Sequence, residues 1–153
     1  MHNAAYIDGL KMLGRRELSE KQVRERLVRK GHDTDIIEEA VTRLRDERAI
    51  NDERVAEAIA RTETSIRRRG KLRVRMQIER AGIEKSVAKR VIDEIFDVID
   101  DDALIEASLN KRLRGRDTIA DDREFQRLYR YLATQGFESD KIVKLLSAKR
   151  AKR

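Results

Sequence analysis

The chain has 153 residues, of which 42% are charged and only 4% are aromatic, and its formal net charge is +7. It has no cysteine, which excludes disulfide bonds and thiolate zinc sites. No apolar run is long enough for a signal peptide or a membrane span, so we expect a cytoplasmic protein without a membrane partner. An aliphatic, charge-rich chain without proline favours helices around a thin core.

Three helices are predicted in the first third of the chain. The first covers residues 4–16, and Ser19 begins the second with Gln22 as its capping-box partner. Gly31 ends the second helix in a left-handed conformation, and the third helix begins after Asp33. The apolar residues at helical spacing predict these inward faces: Tyr6, Ile7, Leu10, Leu13, Val23, Leu27, Ile36, Ile37, Ala40, Val41 and Leu44.

The same order of helices is predicted twice more. Asn51 caps a longer helix that reaches Gly70, the next helix stops at Gly82, and another begins near Glu84. Their predicted inward residues are Val55, Ala56, Ile59, Ala60, Ile66, Val74, Ile78, Ala81, Val87, Val91, Ile92, Ile95 and Phe96. In the last third, Asp102 opens a helix that stops near Gly115, Asp121 caps a helix that ends at Gly136, and residues 139–149 form the last helix.

Three glycines set the register of an internal repeat. Gly31, Gly82 and Gly136 are successively 51 and 54 residues apart, and each follows an apolar residue four positions earlier. A three-helix unit of this size buries little core alone, so neighbouring units are expected to stack. The predicted fold is all-α, with three tandem three-helix repeats (residues 1–50, 51–100 and 101–153, the last with a basic C-terminal tail) stacked into an elongated, curved array.

The strongest charge feature lies in the middle of the chain. Residues 67–75 contain six basic side chains, and residues 64–78 contain no Asp or Glu. Such an uncompensated run predicts contact with a polyanion, because each contact between a cation and a phosphate releases counterions. The competing interpretation is a solvated helix end whose cations complement the helix dipole. The six residues are Arg67, Arg68, Arg69, Lys71, Arg73 and Arg75.

Weaker basic groups occupy equivalent places in the outer repeats. The third repeat carries Lys111, Arg112, Arg114 and Arg116, and the first carries Arg15 and Arg16. In a regular stack these groups would project from the same edge as the central run, and unrelated surface charge is the alternative. The tail of residues 149–153 is either a nonspecific grip on nucleic acid or a solubilising end.

Single residues supply further candidates. Met76 lies nearly opposite the apolar stripe of its helix and is a candidate protein contact, with packing under a neighbouring repeat as the alternative. Tyr131 is a candidate for stacking on a base, whereas Tyr129 belongs to the predicted core.

An enzyme is not predicted. The two histidines are His2 and His32, and the second occupies a packing position. The acidic residues 100–102 are interpreted as a helix cap and not as a metal site. We therefore expect no catalytic residue, no metal and no cofactor.

These segments together resemble the RecX family of bacterial recombination regulators. The resemblance rests on residues 19–31, 50–56 and 69–71, then on 78–83 and 128–137, in that order and spacing. His32, Ala49 and Val55 depart from the family pattern at positions that concern packing.

The resemblance implies a non-enzymatic regulator that binds the RecA recombinase and its single-stranded DNA filament. It implies inhibition of RecA ATPase and strand exchange, and hence modulation of recombination, DNA repair and the SOS response. We expect a monomer, with double-stranded DNA as a further candidate partner. The alternatives are a direct nucleic-acid-binding protein that uses helix-turn-helix-like repeats, and a helical scaffold indifferent to DNA.

Overall fold

The computed structural model describes residues 3–150. Within that range the chain is helical and has no strand, apart from an isolated parallel bridge between Ile119 and Arg150. The all-α prediction is therefore confirmed. The elements are α1 (Ala4–Arg15), α2 (Glu20–Arg29), α3 (Thr34–Asp46), α4 (Asp52–Arg61), a π-helical turn (Thr62–Ile66), α5 (Lys71–Arg80), α6 (Lys85–Val98), α7 (Asp101–Leu113), α8 (Asp122–Thr134) and α9 (Ser139–Ala148).

The chain divides into two compact units. The first unit contains the residues up to Ala58 together with Gln77–Val91, and the second contains Ile59–Met76 together with the residues from Ile92 onwards. The division into three repeats and the elongated, curved arrangement stay predictions.

In the first unit, α1, α2 and α3 close around a small aliphatic core. Gly9 lies where α1 crosses α3 so closely that an added Cβ would be 2.6 Å from Leu44 Cδ1. This close approach turns Ala5, Gly9 and Met12 inward. The predicted inward positions Ile7, Leu10 and Ile36 are wrong, since each is 39% exposed. The core consists of Ala5, Met12, Leu18, Val23, Leu27, Ile37, Ala40, Val41, Leu44 and Ile50.

The predicted helix ends are largely confirmed. Ser19 and Gln22 form a reciprocal capping box at the start of α2. Gly31, Gly82 and Gly136 have φ values of +90°, +81° and +96°, the left-handed conformation that glycine adopts at least cost.

In the second unit, α7, α8 and α9 enclose the second small core. Asp121 caps α8 as predicted. The cap of α7 is Asp100, two residues before the predicted Asp102, and its side chain accepts a hydrogen bond from the Ala103 amide. The buried residues of this core are Ile105, Leu109, Leu113, Ile119, Phe125, Leu128, Leu132, Phe137, Ile142 and Leu146.

The helix predicted from Asn51 to Gly70 changes to the π-helical turn at Thr62 and ends at Ile66. The wider turn buries Glu63 and Thr64, and the Thr64 hydroxyl donates to the Ala60 carbonyl at 2.8 Å. Ile66 is thereby directed outward and is 75% exposed, so its predicted inward position is wrong.

Two glycine backbones hold the start of α5 against the end of α8. The Gly70 amide donates to the Gln135 carbonyl at 2.9 Å, and the Leu72 amide donates to the Gly136 carbonyl at 3.0 Å. A Cβ added at Gly70 would lie 2.5 Å from the Gly136 carbonyl oxygen. Gly70 is therefore required for backbone approach and is not merely the end of a helix.

Replacement of Gly70 by alanine is expected to destabilise the protein by about 1–3 kcal/mol, because the methyl group would force the two backbone segments apart. Gly14→Ala is the matched control. A Cβ at Gly14 meets no atom within 4 Å, so alanine in that helix should be neutral or stabilise by roughly 0.5–1 kcal/mol. Urea denaturation followed by circular dichroism measures both effects, and equal stability of the two variants would contradict the assigned contact.

Candidate nucleic-acid interface

The central basic run occupies the end of the π-helical turn, the following loop and the first turn of α5. Arg67 forms the C-cap of the π-helical turn, and Arg68 adopts a left-handed backbone with φ of +53°. Gly70 is buried, and Lys71 begins α5. The run is thus part of the folded second unit, as expected from the helical signals on both sides of it.

A buried carboxylate compensates part of this charge. Glu63 is only 5% exposed, and its two oxygens lie 3.3 Å from Arg67 Nη1 and 3.1 Å from Arg69 Nη1. The Arg69 amide also donates to the Glu63 backbone carbonyl at 2.8 Å. The expectation that the run is uncompensated is therefore wrong for these two arginines, because the acid lies just upstream of the acid-free segment.

The other four cations differ in what they contact. Lys71 lies 3.8 Å from Asp93, and Arg73 is half-buried with its Cβ against Gly136. Arg68 and Arg75 are exposed, and no carboxylate of residues 3–150 lies within 4.0 Å of either guanidinium. These two side chains therefore present the free positive charge of the run to solvent.

The second basic group surrounds a concavity at the C-terminal end of α7. Lys111, Arg112, Arg114 and Arg116 line it, together with Glu124, Arg127, Leu128 and Tyr131. Its volume is about 530 Å³. Lys111, Arg112 and Arg114 are exposed and have no carboxylate within 4.0 Å among residues 3–150. We call this concavity the α7–α8 cleft.

One buried acid holds two of the arginines that line the α7–α8 cleft. The Glu124 carboxylate accepts from both terminal nitrogens of Arg116 at 3.0 and 2.8 Å, from Arg127 at 3.3 Å, and from the Ala120 amide at 3.1 Å. The hydrogen bonds from Arg116 hold the pKa of Glu124 below its ordinary value. Arg116 is therefore held in an ion pair with Glu124, unlike the other three basic residues of its group.

The fold brings the central run and the α7–α8 cleft onto the same two helices. On α7, the Ser108 hydroxyl contacts the Arg68 carbonyl at 3.5 Å, and Lys111 and Arg112 follow about one helical turn later. On α8, Tyr131 lies about one turn before Gln135, whose carbonyl accepts from Gly70. The central run and the basic group of the third repeat were predicted on separate repeats, and in the structure both lie beside α7 and α8 of the second unit.

The arginines of the first repeat lie in the first unit. Arg16 caps α1 and is exposed, and Arg15 lines a shallow depression of about 290 Å³. Sequence reasoning missed the other cations there, although their spacing of three and four residues along α1 and α2 was a usable signal. They are Lys11, Arg26, Arg29 and Lys30.

The remaining single-residue candidates are partly buried or contact other side chains. Met76 is half-buried on α5. Tyr129 packs on the core of the second unit as predicted, and its hydroxyl lies 2.5 Å from Ser139 Oγ. Tyr131 also packs partly on that core, and the Arg112 guanidinium lies 3.8 Å above its ring centroid.

The described part of the basic tail folds back onto the second unit. The Lys149 carbonyl accepts from the Ile119 amide at 2.8 Å, and Arg150 lies 3.2 Å from Asp122 and over the Phe125 ring. Residues 151–153 lie outside the described range. Both interpretations of the tail, a grip on nucleic acid and a solubilising end, stay predictions.

The histidines and the acidic residues 100–102 are the other sequence candidates for chemistry. His32 Nε2 lies 2.7 Å from Asp8 Oδ2, and that hydrogen bond lowers the Asp8 pKa. His2 lies outside the described range. No group of three His, Cys, Asp or Glu side chains in residues 3–150 could hold a metal ion, and Asp101 lies 2.6 Å from Lys141. None of the described helices has the length and apolarity needed to cross a bilayer.

Comparison with known proteins gives matches in sequence and in fold. Residues 5–44 match the family model for the first three-helix domain of RecX. The chain is similar to the regulatory protein RecX of Syntrophotalea carbinolica, with 33% identity over 147 residues that cover 95% of this chain and 96% of the relative. It is 30% identical to the regulatory protein RecX of Halorhodospira halophila over 134 residues, which cover 87% and 80%.

Two solved structures share the fold. A crystal structure of regulatory protein RecX superimposes with a TM-score of 0.78 at 21% identity, covering 94% of this chain and 70% of that one. The crystal structure of RecX from Lactobacillus salivarius gives 0.77 at 24% identity, covering 94% and 95%. Because the sequence similarity extends over nearly the full length of both this chain and its Syntrophotalea relative, the chain belongs to the RecX family of regulatory proteins.

Proposed function

We propose that this protein binds the RecA recombinase and its single-stranded DNA filament, and inhibits RecA ATPase and strand exchange. The observation that carries the proposal is membership of the RecX family, shown by a relative whose alignment covers 95% of this chain. Recombination and DNA repair are the processes that such binding would modulate.

The free arginines of the second unit support the DNA part of the proposal. Arg68, Arg75, Arg112 and Arg114 are exposed and lack a neighbouring carboxylate among residues 3–150. A guanidinium group can pair two phosphate oxygens at once, and each such contact releases counterions from the DNA. Contacts of this kind are independent of sequence, which suits a filament formed on any single strand.

The proposed mechanism is occupation of the filament. The free arginines engage the phosphates of filament-bound DNA, and other basic side chains contact acidic surfaces of neighbouring RecA subunits. A protein bound across subunits in this way opposes the movements that accompany ATP turnover, and it obstructs the approach of a homologous duplex.

Charge reversal at Arg68 and at Arg112 tests the proposal. Each single variant, Arg68→Glu and Arg112→Glu, should raise the concentration needed to inhibit the DNA-dependent ATPase of RecA, and the double variant should raise it further. Salt dependence should also weaken, by about 0.7 in the log–log slope for each lost contact with a single-strand phosphate. The measurements are ATP turnover with substoichiometric added protein and filament binding at several salt concentrations.

The double variant Arg80→Glu with Lys144→Glu is the matched control, since it lowers the net charge from +7 to +3, as the test pair also does. Both control residues are exposed and have no carboxylate within 4.0 Å among residues 3–150. Equal inhibition by the test pair and the control pair would contradict the assigned contacts. Inhibition that disappears when bare DNA is added in excess would indicate direct competition for DNA instead of action on the filament.

Replacement of Glu63 by glutamine tests the compensation within the central run. The variant should lose roughly 1–3 kcal/mol of stability, because two arginines lose their buried charged acceptor. It should also bind single-stranded DNA more tightly and with a steeper salt dependence, since Arg67 and Arg69 are released from the carboxylate.

Glu57→Gln on α4 is the control, because it removes the same charge at a half-buried residue for which no cation of residues 3–150 lies within 4.0 Å. Urea denaturation and fluorescence anisotropy with a labelled oligonucleotide measure the two effects. Unchanged stability of Glu63→Gln, or DNA binding no tighter than that of Glu57→Gln, would show that Glu63 does not restrain the run.

A further inference from the structure

The α7–α8 cleft combines an aromatic ring with cations that lack acidic partners. We propose that it binds one unstacked nucleotide of single-stranded DNA, with the base on the ring of Tyr131 and the phosphate on Arg114 and Lys111. The inference deepens the proposed function, on which it rests for the contact with DNA.

Tyr131 is placed to serve as a platform. One part of the ring packs on the core of the second unit, which fixes its orientation, and the Arg112 guanidinium lies 3.8 Å from its centroid. Arg112 is exposed and has no carboxylate within 4.0 Å among residues 3–150. It can therefore move aside for a base, or cover the base from the other side as a second stacking surface.

A similar pair in the first unit shows what distinguishes this site. The Arg43 guanidinium lies 3.7 Å from the Tyr6 centroid, but Arg43 is 3.0 Å from Glu47, and the Tyr6 hydroxyl donates to the same carboxylate at 2.5 Å. Glu47 therefore neutralises Arg43 and accepts the hydrogen bond of Tyr6, so both members of that pair already have a partner. The Tyr131 hydroxyl has no hydrogen-bond partner within residues 3–150, and no acid neutralises Arg112.

The phosphate position follows from the loop after α7. Arg114 has a left-handed backbone with φ of +52° and is followed by Gly115 at +87°, so the chain turns there and presents Arg114 at the cleft. Lys111 also lines the cleft. Glu124 holds Arg116 and Arg127, which leaves Lys111, Arg112 and Arg114 as the lining cations free for a ligand. The volume of about 530 Å³ lies within the range of roughly 300–1,000 Å³ that is usual for sites that enclose small organic groups.

The combination of ring and cations favours a single strand over other anionic partners. A duplex keeps its bases stacked and paired, so it cannot offer a base face to Tyr131 without local opening. An acidic protein surface would use the cations and leave the ring without a role. Single-stranded DNA uses both, because stacking and phosphate contact alternate along it.

The test uses the full chain and a short fluorescent oligothymidine, with anisotropy measured over a series of salt concentrations. Tyr131→Leu keeps an apolar side chain against the core and should weaken binding by about tenfold with an unchanged salt slope, because stacking is lost and phosphate contacts remain. Tyr131→Phe keeps the ring and should bind like the wild type. Arg114→Gln should reduce the salt slope by about 0.7. Tyr6→Leu is the matched control and should leave binding unchanged.

Photocrosslinking supplies a readout that does not depend on the stability of a variant. Wild-type protein is irradiated with an oligonucleotide that contains 5-iododeoxyuridine, and the site of attachment is mapped by mass spectrometry. A crosslink at Tyr131 that is absent with the matching duplex is the expected result. Crosslinks only at other residues, equal labelling by the duplex, or wild-type affinity of Tyr131→Leu would overturn the inference.

The two proposals can fail separately. If Tyr131→Leu binds DNA and inhibits RecA like the wild type, the nucleotide site is wrong and the proposed function stands. If the crosslink forms at Tyr131 but the protein leaves RecA ATPase unchanged, the nucleotide site stands and the proposed function is wrong.

Discussion

The second unit depends on the contact between the Gly70 and Gly136 backbones. Two amide hydrogen bonds, of 2.9 and 3.0 Å, join the start of α5 to the end of α8, and neither position has room for a Cβ. Through this contact the basic run of residues 67–75 is held on the same helices that carry the α7–α8 cleft. Without it the run would be held mainly by the contacts of Glu63 with Arg67 and Arg69, against the mutual repulsion of its cations.

Two buried acids then decide which cations are available. Glu63 holds Arg67 and Arg69, and Glu124 holds Arg116. A carboxylate removed from water is stable only with such partners. The arginines that pair with it therefore have a structural role, which is to stabilise the buried charge. The arginines left over are the ones on which the proposed contacts with DNA depend. A count of basic residues along the chain does not separate these two classes, whereas burial and distance do.

Local signals in the sequence predicted much of the architecture. Capping residues such as Ser19 and Asp121 and the helix-ending glycines lie within a few positions of what they control, so the helices and their order could be predicted. The site could be predicted only as a set of candidates. The π-helical turn, which directs Ile66 outward and Glu63 inward, has no periodic signal of its own. The predicted inward positions Ile7 and Leu10 are wrong because α1 approaches α3 closely at Gly9, which carries no apolar side chain to signal it.

The sequence by itself determined an all-α chain of short helices, the positions of its turns, and family membership through motifs spaced along the whole length. These properties depend on residues near one another in the chain, or on their order. The tertiary structure alone decided that Arg112 lies on Tyr131 and that Glu63 and Glu124 neutralise particular arginines. It also decided that the central basic run and the basic group at the end of α7, which are distant in the chain, lie against the same pair of helices. Such relations arise from packing between distant segments, which one sequence records only as separate residues.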